Sequence, residues 1–273
     1  MEHSGMGRDP SRLREEIDAT PRVKILIPVY KPTLSDYDRA SFSQAYYILG
    51  NYPLAVIKPA SLDLKAITDE YPQVEIISFP DHYFAGIAGY NRLMMSSEFY
   101  GHFLDMDYLL IYQLDAYVFR DELLQWCQKG YDYVGAPWLK KKIYQQPPFS
   151  WWVDYQCKKE KRTGIPSKYS LHNKVGNGGF SLRKVKSHYD ATVRYRDVIE
   201  DFLSHRMHLY NEDVFWATQV AEFTYPDVSE ALRFSFDKYP RYSYKLTKRQ
   251  LPFGCHGWYK RKMKKFWQPI IGF

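Results

Sequence analysis

Four short pieces of the chain gather the residue types that move protons, bind metals or let backbone approach a ligand. They are Gln113-Leu114-Asp115, Gly176-Asn177-Gly178-Gly179, Asn211-Glu212-Asp213 and Gly254-Cys255-His256. A carboxylate or imidazole beside a reacting group can act as a base, both can ligate a cation, and glycine leaves room at the backbone. Each piece also has an ordinary structural explanation. Asp115 can cap a strand, glycines make tight turns, acids at a helix start complement its dipole, and a single His is a frequent core or surface residue. Asp115 poses the sharpest question, because it sits in "LIYQLDAYVF" with apolar residues on both sides. A charge at the end of a buried strand asks for a reason.

The elements that must position these pieces alternate. "VKILIPVYKP" is a buried β run stopped by Pro28 and Pro32, and "SDYDRASFSQAYYILG" has helical spacing with Ser35 as cap and Gly50 as end. Strands follow at "PLAVIKP" and "QVEIISFP", with a helix at "LDLKAITDEY" between them. "FAGIAGYNRLMMSSEFY" predicts one helix and "DYLLIYQLDAYVF" one long strand; a short helix "DELLQWCQKG" then leads to a strand "YDYVGAPW". Alternation of this kind argues for an α/β domain with a mainly parallel sheet and helices on both faces, which binds ligands outside the carboxyl ends of its strands. From Leu139 to Asn173 the pattern fails, and an irregular, aromatic and basic segment containing Trp151-Trp152 is predicted to be functional. Order returns with the strand "NGGFSLRK", an amphipathic helix over about residues 186–205, and a helix at "NEDVFWATQVAEF" capped by Asn211.

A hydrophobic share of 45% excludes a disordered or fibrous chain, and 25 Tyr with 7 Trp exceed what core filling needs, so some rings are expected on a binding surface. Cys127, Cys157 and Cys255 show no metal-finger spacing and read as reduced thiols, and no signal-peptide core or run of 18 apolar residues is present. A cytoplasmic protein is therefore expected. The net charge of +7 gathers late, in "YKLTKRQ" and "WYKRKMKKFW". Three readings of this tail stand side by side: a solvated basic terminus, a peripheral contact with an anionic membrane through Trp258, Phe266 and Trp267, and nonspecific nucleic-acid binding, which no accompanying motif supports.

The order of the four pieces resembles glycosyltransferases of the GT-A fold, and is most similar to the bacterial DUF5672 group, for which a sugar-nucleotide-dependent transferase role is inferred. The motifs that carry the resemblance are "QLD", "GGFSLR", "NED" and "FGCHGW", and it covers about Val23 to Trp258. It implies a polar N-terminal tail over residues 1–22, one domain over 23–258 with a nucleotide-binding half to 138 and an acceptor half after it, and a basic aromatic tail over 259–273. The implied partners are a nucleotide-sugar donor and a carbohydrate or lipid-linked acceptor, as in bacterial surface polysaccharide or lipopolysaccharide assembly, with no nucleic acid.

The resemblance also implies roles. Asp115 matches the last carboxylate of the family's Asp-x-Asp motif, which holds Mn²⁺ or Mg²⁺ at the donor diphosphate, and His256 matches a later ligand. Gln113 stands where the first acid usually is and brings no charge, a departure that leaves the metal's necessity open. Asp213, with Glu212 beside it, matches the family's catalytic base, which takes the acceptor's proton if the anomeric centre is inverted; if it is retained, the same residues would grip the acceptor. Pro28, Tyr30 and Lys31 fall where base and ribose sit, Asn91 and Arg92 where ribose or diphosphate is contacted, and Gly178 and Gly179 where backbone nears the donor sugar. Trp138, Trp151, Trp152 and Trp258 offer flat faces for the acceptor. A catalytically inactive sugar-binding protein on the same fold is the rival reading, favoured by Gln113.

Overall fold

The computed structural model describes residues 20–164, 166–205 and 207–273. The expected N-terminal tail lies outside the described residues except for its last three. The sheet begins with β1 (Val23–Pro28), β2 (Leu54–Pro59), β3 (Glu75–Phe79) and β4 (Tyr108–Tyr112), joined in parallel, and β7 (Phe180–Lys184) and β6 (Tyr133–Val134) complete the order β3-β2-β1-β4-β7-β6. β7 runs antiparallel to both of its neighbours.

The continuous apolar runs seen in the sequence follow from burial on both faces. Ile25, Ile27, Val56 and Leu110 enter one core layer, while Leu26, Ala55, Ile57, Leu109 and Ile111 enter the other. The first layer packs beneath α1 (Asp36–Leu49), whose start is a capping box: Ser35 Oγ accepts from Asp38 N–H and the Asp38 carboxylate accepts from Ser35 N–H. α2 (Lys65–Glu70) and α5 (Leu123–Gln128) add to that layer. α3 (Gly86–Met94), α4 (Ser97–Gly101), α7 (Val185–Arg194), α8 (Arg196–Ser204) and α9 (Glu212–Thr218) cover the other.

Several predicted elements divide. The long strand expected over residues 107–119 stops at Tyr112, turns through Gln113–Asp115 with Ala116 N–H donating to Gln113 C=O at 2.8 Å, and resumes as β5 (Ala116–Val118). β5 leaves the main sheet and joins a second one of order β5-β9-β8, with β9 (Gly254–His256) and β8 (Ser235–Phe236). The helix expected over 84–100 breaks where Ser96 caps α4, and that over 186–205 breaks at Tyr195. The segment expected to be irregular contains α6 (Phe149–Thr163), a 15-residue helix closed by Gly164 in the left-handed region.

The C-terminal tail is also corrected. After α10 (Val228–Phe234) and α11 (Pro240–Leu246), residues Arg261–Ile271 form α12, which lays Met263 and Trp267 against Leu232, Phe236, Cys255 and Trp258. Trp267 stacks on Phe119 at 5.4 Å. Apolar side chains alternating with lysines at helical spacing have folded back onto the domain, so residues 259–273 belong to it. Among the described residues no helix is long and apolar enough to cross a membrane.

Candidate active site

The four sequence pieces meet at the carboxyl ends of β1 and β4, around a pocket of about 740 Å³. Leaving the main sheet at Gln113 is what brings them together. Gln113 N–H donates to Gly179 C=O at 2.8 Å, which ties the QLD turn to the glycines, and the antiparallel register of β5 and β9 sets Ala116 opposite His256. Asp115 thereby faces the imidazole, with Oδ1 3.0 Å from His256 Nε2, and its Oδ2 lies 2.6 Å from Lys260 Nζ.

On its other side, His256 Nδ1 lies 3.0 Å from Asn177 Nδ2 and 3.4 Å from Asp237 Oδ1. Burial alone would lower the imidazole's pKa, but the charges of Asp115 and Asp237 outweigh it and raise it to about 9. Burial pushes Asp115 upward in turn, and His256 and Lys260 overcome that, holding its carboxyl well below the usual range.

Asn177 has a left-handed backbone (φ 73°), tolerable for Asn because its side chain bonds locally. Its Oδ1 accepts from Gly179 N–H at 3.1 Å and Phe180 N–H at 3.3 Å. Gly178 and Gly179 are required by close approach: a Cβ on the first would fall 1.8 Å from Glu212 Oε1, and on the second 2.2 Å from His256 Nε2 and 2.8 Å from Gln113 Oε1.

The acidic pair divides its work. Glu212 is buried and ion-paired at 3.0 Å with Arg183, itself 0% exposed, which Tyr100 and Ser181 also hold. Burial raises the Glu212 carboxyl to about 7 despite the guanidinium. Asp213 lines the pocket, accepts from Val214 N–H at 2.9 Å, and has its pKa raised by burial. Asn211 occupies the cap position of α9 without capping it; its Oδ1 accepts from Asn91 at 3.2 Å, while Asn91 Oδ1 accepts the Glu212 N–H at 3.2 Å. Asn91, reaching from α3, therefore caps α9.

Gln113, Asp115, Gly178, Gly179, Glu212, Asp213, His256, Asn91, Tyr30 and Lys31 all line the pocket. Other predicted residues do not. Pro28 is buried as the last residue of β1, and Arg92 points away to pair with Glu200 at 2.9 Å. Trp138 packs over Gly176, Trp151 and Trp152 stand exposed on α6, and Trp258 is 1% exposed in an aromatic cluster with Tyr37 and Tyr117, so it has no face for a sugar. The aromatic residues that line the pocket are Tyr30, Phe84, Tyr90 and Tyr259.

Sequence reading missed Arg183, Asp237 and Lys260. Arg183 closes the "GGFSLR" motif, Lys260 stands four residues after His256 in the basic run, and nothing in the sequence around Asp237 singles it out. A second groove, of 840 Å³, lies between α5, α10 and α11, but Arg120 and Lys129 there already pair with Glu122 and Glu230, and none of the four pieces reaches it.

Asp115 and His256 pass a test for a divalent ion. Asp115 offers a carboxylate oxygen and His256 a ring nitrogen 3.0 Å from it, the donor types a divalent ion takes; the ring pairs through Nε2 with Asp115 and could ligate only after giving up that proton, when Asp237 beside Nδ1 would hold the tautomer with Nε2 unprotonated. Among the described residues no group of three or more His, Cys, Asp and Glu is arranged to hold a metal, so phosphate oxygens of a ligand would have to complete the shell.

A family model described as "Protein of unknown function (DUF5672)" matches residues 73–256. A search of curated proteins finds no match. Among solved structures, the chain is similar to galactosyltransferase LgtC in complex with donor and acceptor sugar analogs, at 10% identity and a TM-score of 0.55, over 91% of this chain and 94% of that one. An active-site mutant of LgtC matches at 14% identity and a TM-score of 0.52, over 85% of this chain and 86% of that one. The apo form of glycosyltransferase GlyE from Streptococcus pneumoniae matches at 10% identity and a TM-score of 0.50, over 92% and 62%. At these identities the likeness shows the fold, which is GT-A.

Proposed function

The chain belongs to the DUF5672 family, and we propose that it is a glycosyltransferase that moves a sugar from a nucleotide donor to an acceptor hydroxyl. The observation that carries this reading is the convergence, at the strand ends of a GT-A sheet, of a cation-flanked carboxylate (Asp115 with His256 and Lys260) and a separate pocket carboxylate, Asp213. Electrostatic grip on a diphosphate and a base for the acceptor are the two things sugar transfer requires.

Each group has a role in this scheme. Tyr30, 56% exposed at the pocket rim, stacks on the nucleotide base. Lys260 releases Asp115 to meet the diphosphate, and the Gly178–Gly179 backbone admits the donor sugar. The bond from the anomeric carbon to the diphosphate oxygen breaks, the acceptor oxygen bonds to that carbon, and its proton passes to Asp213, whose raised pKa suits it to accept. Glu212, paired with the buried Arg183, lies at the pocket wall beside Asp213 at the start of α9. Asp115 and His256 would hold a divalent ion, Mn²⁺ or Mg²⁺, which when bound supplies positive charge to the leaving diphosphate.

For the acceptor we assign a carbohydrate or lipid-linked carbohydrate, of the kind assembled into bacterial surface polysaccharide or lipopolysaccharide. A pocket of 740 Å³ is in the range of sites that enclose a ligand of nucleotide-sugar size. The test is thermal unfolding against a panel of nucleotides and nucleotide sugars, with Mn²⁺ and with chelator, because a ligand that binds only the native state raises the midpoint. A shift with one nucleotide series that Asp115→Ala removes supports the reading; no shift with any nucleotide refutes it.

A further inference from the structure

We propose that the outward face of α6 is a docking surface for an anionic lipid bilayer. Only Val153 of this helix is buried. Trp151, Tyr155, Lys158 and Arg162 recur at i, i+4, i+7 and i+11 and form one exposed stripe, flanked by Trp152 and Lys159. The three aromatics are 67%, 52% and 53% exposed for Trp151, Trp152 and Tyr155, and the last two rings lie 5.8 Å apart as one patch. Two adjoining indoles and a phenol left in water are far from ordinary for a surface helix.

Charge identifies the occupant. Lys158, Lys159, Lys161 and Arg162 are exposed, whereas Asp154 is the sole exposed acid of the helix; Glu160 is half-buried, accepting from Ser170 Oγ at 3.1 Å. Indole and phenol rings settle at the headgroup level, and lysines and arginines beside them are drawn to anionic lipid. The rings occupy the first half of the helix and the cations the second. A single strand stacked on protein needs cations alternating with rings along its path; a bilayer accepts the two separated.

The basic C-terminal helix α12 lacks this combination, because Met263 and Trp267 are turned into the protein. It serves as the control. Wild-type protein is co-sedimented with phosphatidylcholine vesicles, with and without phosphatidylglycerol, beside a Trp151→Ser/Trp152→Ser/Tyr155→Ser variant and a Lys262→Gln/Lys265→Gln variant. The expected result is binding to phosphatidylglycerol vesicles alone, weakened by salt, about tenfold weaker in the α6 variant and retained in the α12 variant. In wild-type protein, the amides of residues 149–163 should exchange more slowly when those vesicles are present, a readout that does not depend on the variant folding. Absence of vesicle binding, binding that persists in a folded α6 variant, or binding of single-stranded RNA in preference to vesicles overturns the proposal.

Discussion

Replacing Arg183 by Met removes the guanidinium that pairs with a buried carboxylate. Arg183 is fully buried and Glu212 has 5% of its side chain exposed, so water cannot take over. The other partners of the guanidinium survive its loss. Tyr100 OH still donates to Met94 C=O at 3.1 Å, and Ser181 Oγ still donates to Gly178 C=O at 3.1 Å. Glu212 alone is orphaned, and breaking a buried pair from one side costs about 3–5 kcal/mol. The carboxyl's raised value, about 7 against an ordinary 4.5, sets the pH dependence. Because the folded form holds a proton at pH values where the unfolded form has lost it, stability falls as pH rises through this window, and loss of the guanidinium extends the window upward. Urea unfolding should therefore show a larger deficit for Arg183→Met at about pH 8 than at about pH 5.5. The double variant Arg183→Met/Glu212→Leu should recover to within about 1–2 kcal/mol of wild type, since an apolar pair of similar volume has no charge to desolvate. A single variant that loses under about 1 kcal/mol, or a double variant as unstable as the single, would refute this account of the pocket floor.

Asp213→Asn should lower transfer by about 10²–10⁴ while leaving nucleotide affinity unchanged, measured by single-turnover product formation and by thermal shift; unchanged turnover removes Asp213 as the base. In Gly179→Ala the new Cβ must displace His256, whose Nε2 lies 2.2 Å from where it would sit, so nucleotide-induced stabilisation should disappear while far-ultraviolet circular dichroism stays native. His188 is buried among Tyr100, Tyr133, Trp216 and Phe223, and burial, with Arg183 nearby, lowers its pKa from 6.5 to about 3. The folded form then binds fewer protons than the unfolded one below pH 6.5, so stability is lost as pH falls, at up to about 1.4 kcal/mol per pH unit. His188→Phe should flatten this acid limb in denaturation curves, and an unchanged slope would show that His188 is not its source.

The sequence by itself determined the sheet and most of the pocket. Continuous apolar runs can be satisfied only by strands buried on both faces, and Ser35 with Asp38 marks a helix start because the pairing is local. The QLD, glycine, NED and His256 pieces were legible as residue types at strand ends and helix starts, but the glycines reach the carboxyl end of β4 because β7 runs antiparallel to it, and His256 reaches it through the second sheet. What only the tertiary structure decided depends on contacts distant in the chain. Nothing near Leu114 states that the strand breaks there; the break exists because residues 116–118 find β9, well over a hundred residues away. Asp237 and Arg183 acquire meaning only from His256 and Glu212. The tryptophans show the same limit, since Trp258 and Trp267 went into the core while Trp151 and Trp152 stayed in water. An indole is amphipathic enough for either place, and the packing of neighbouring elements makes the choice.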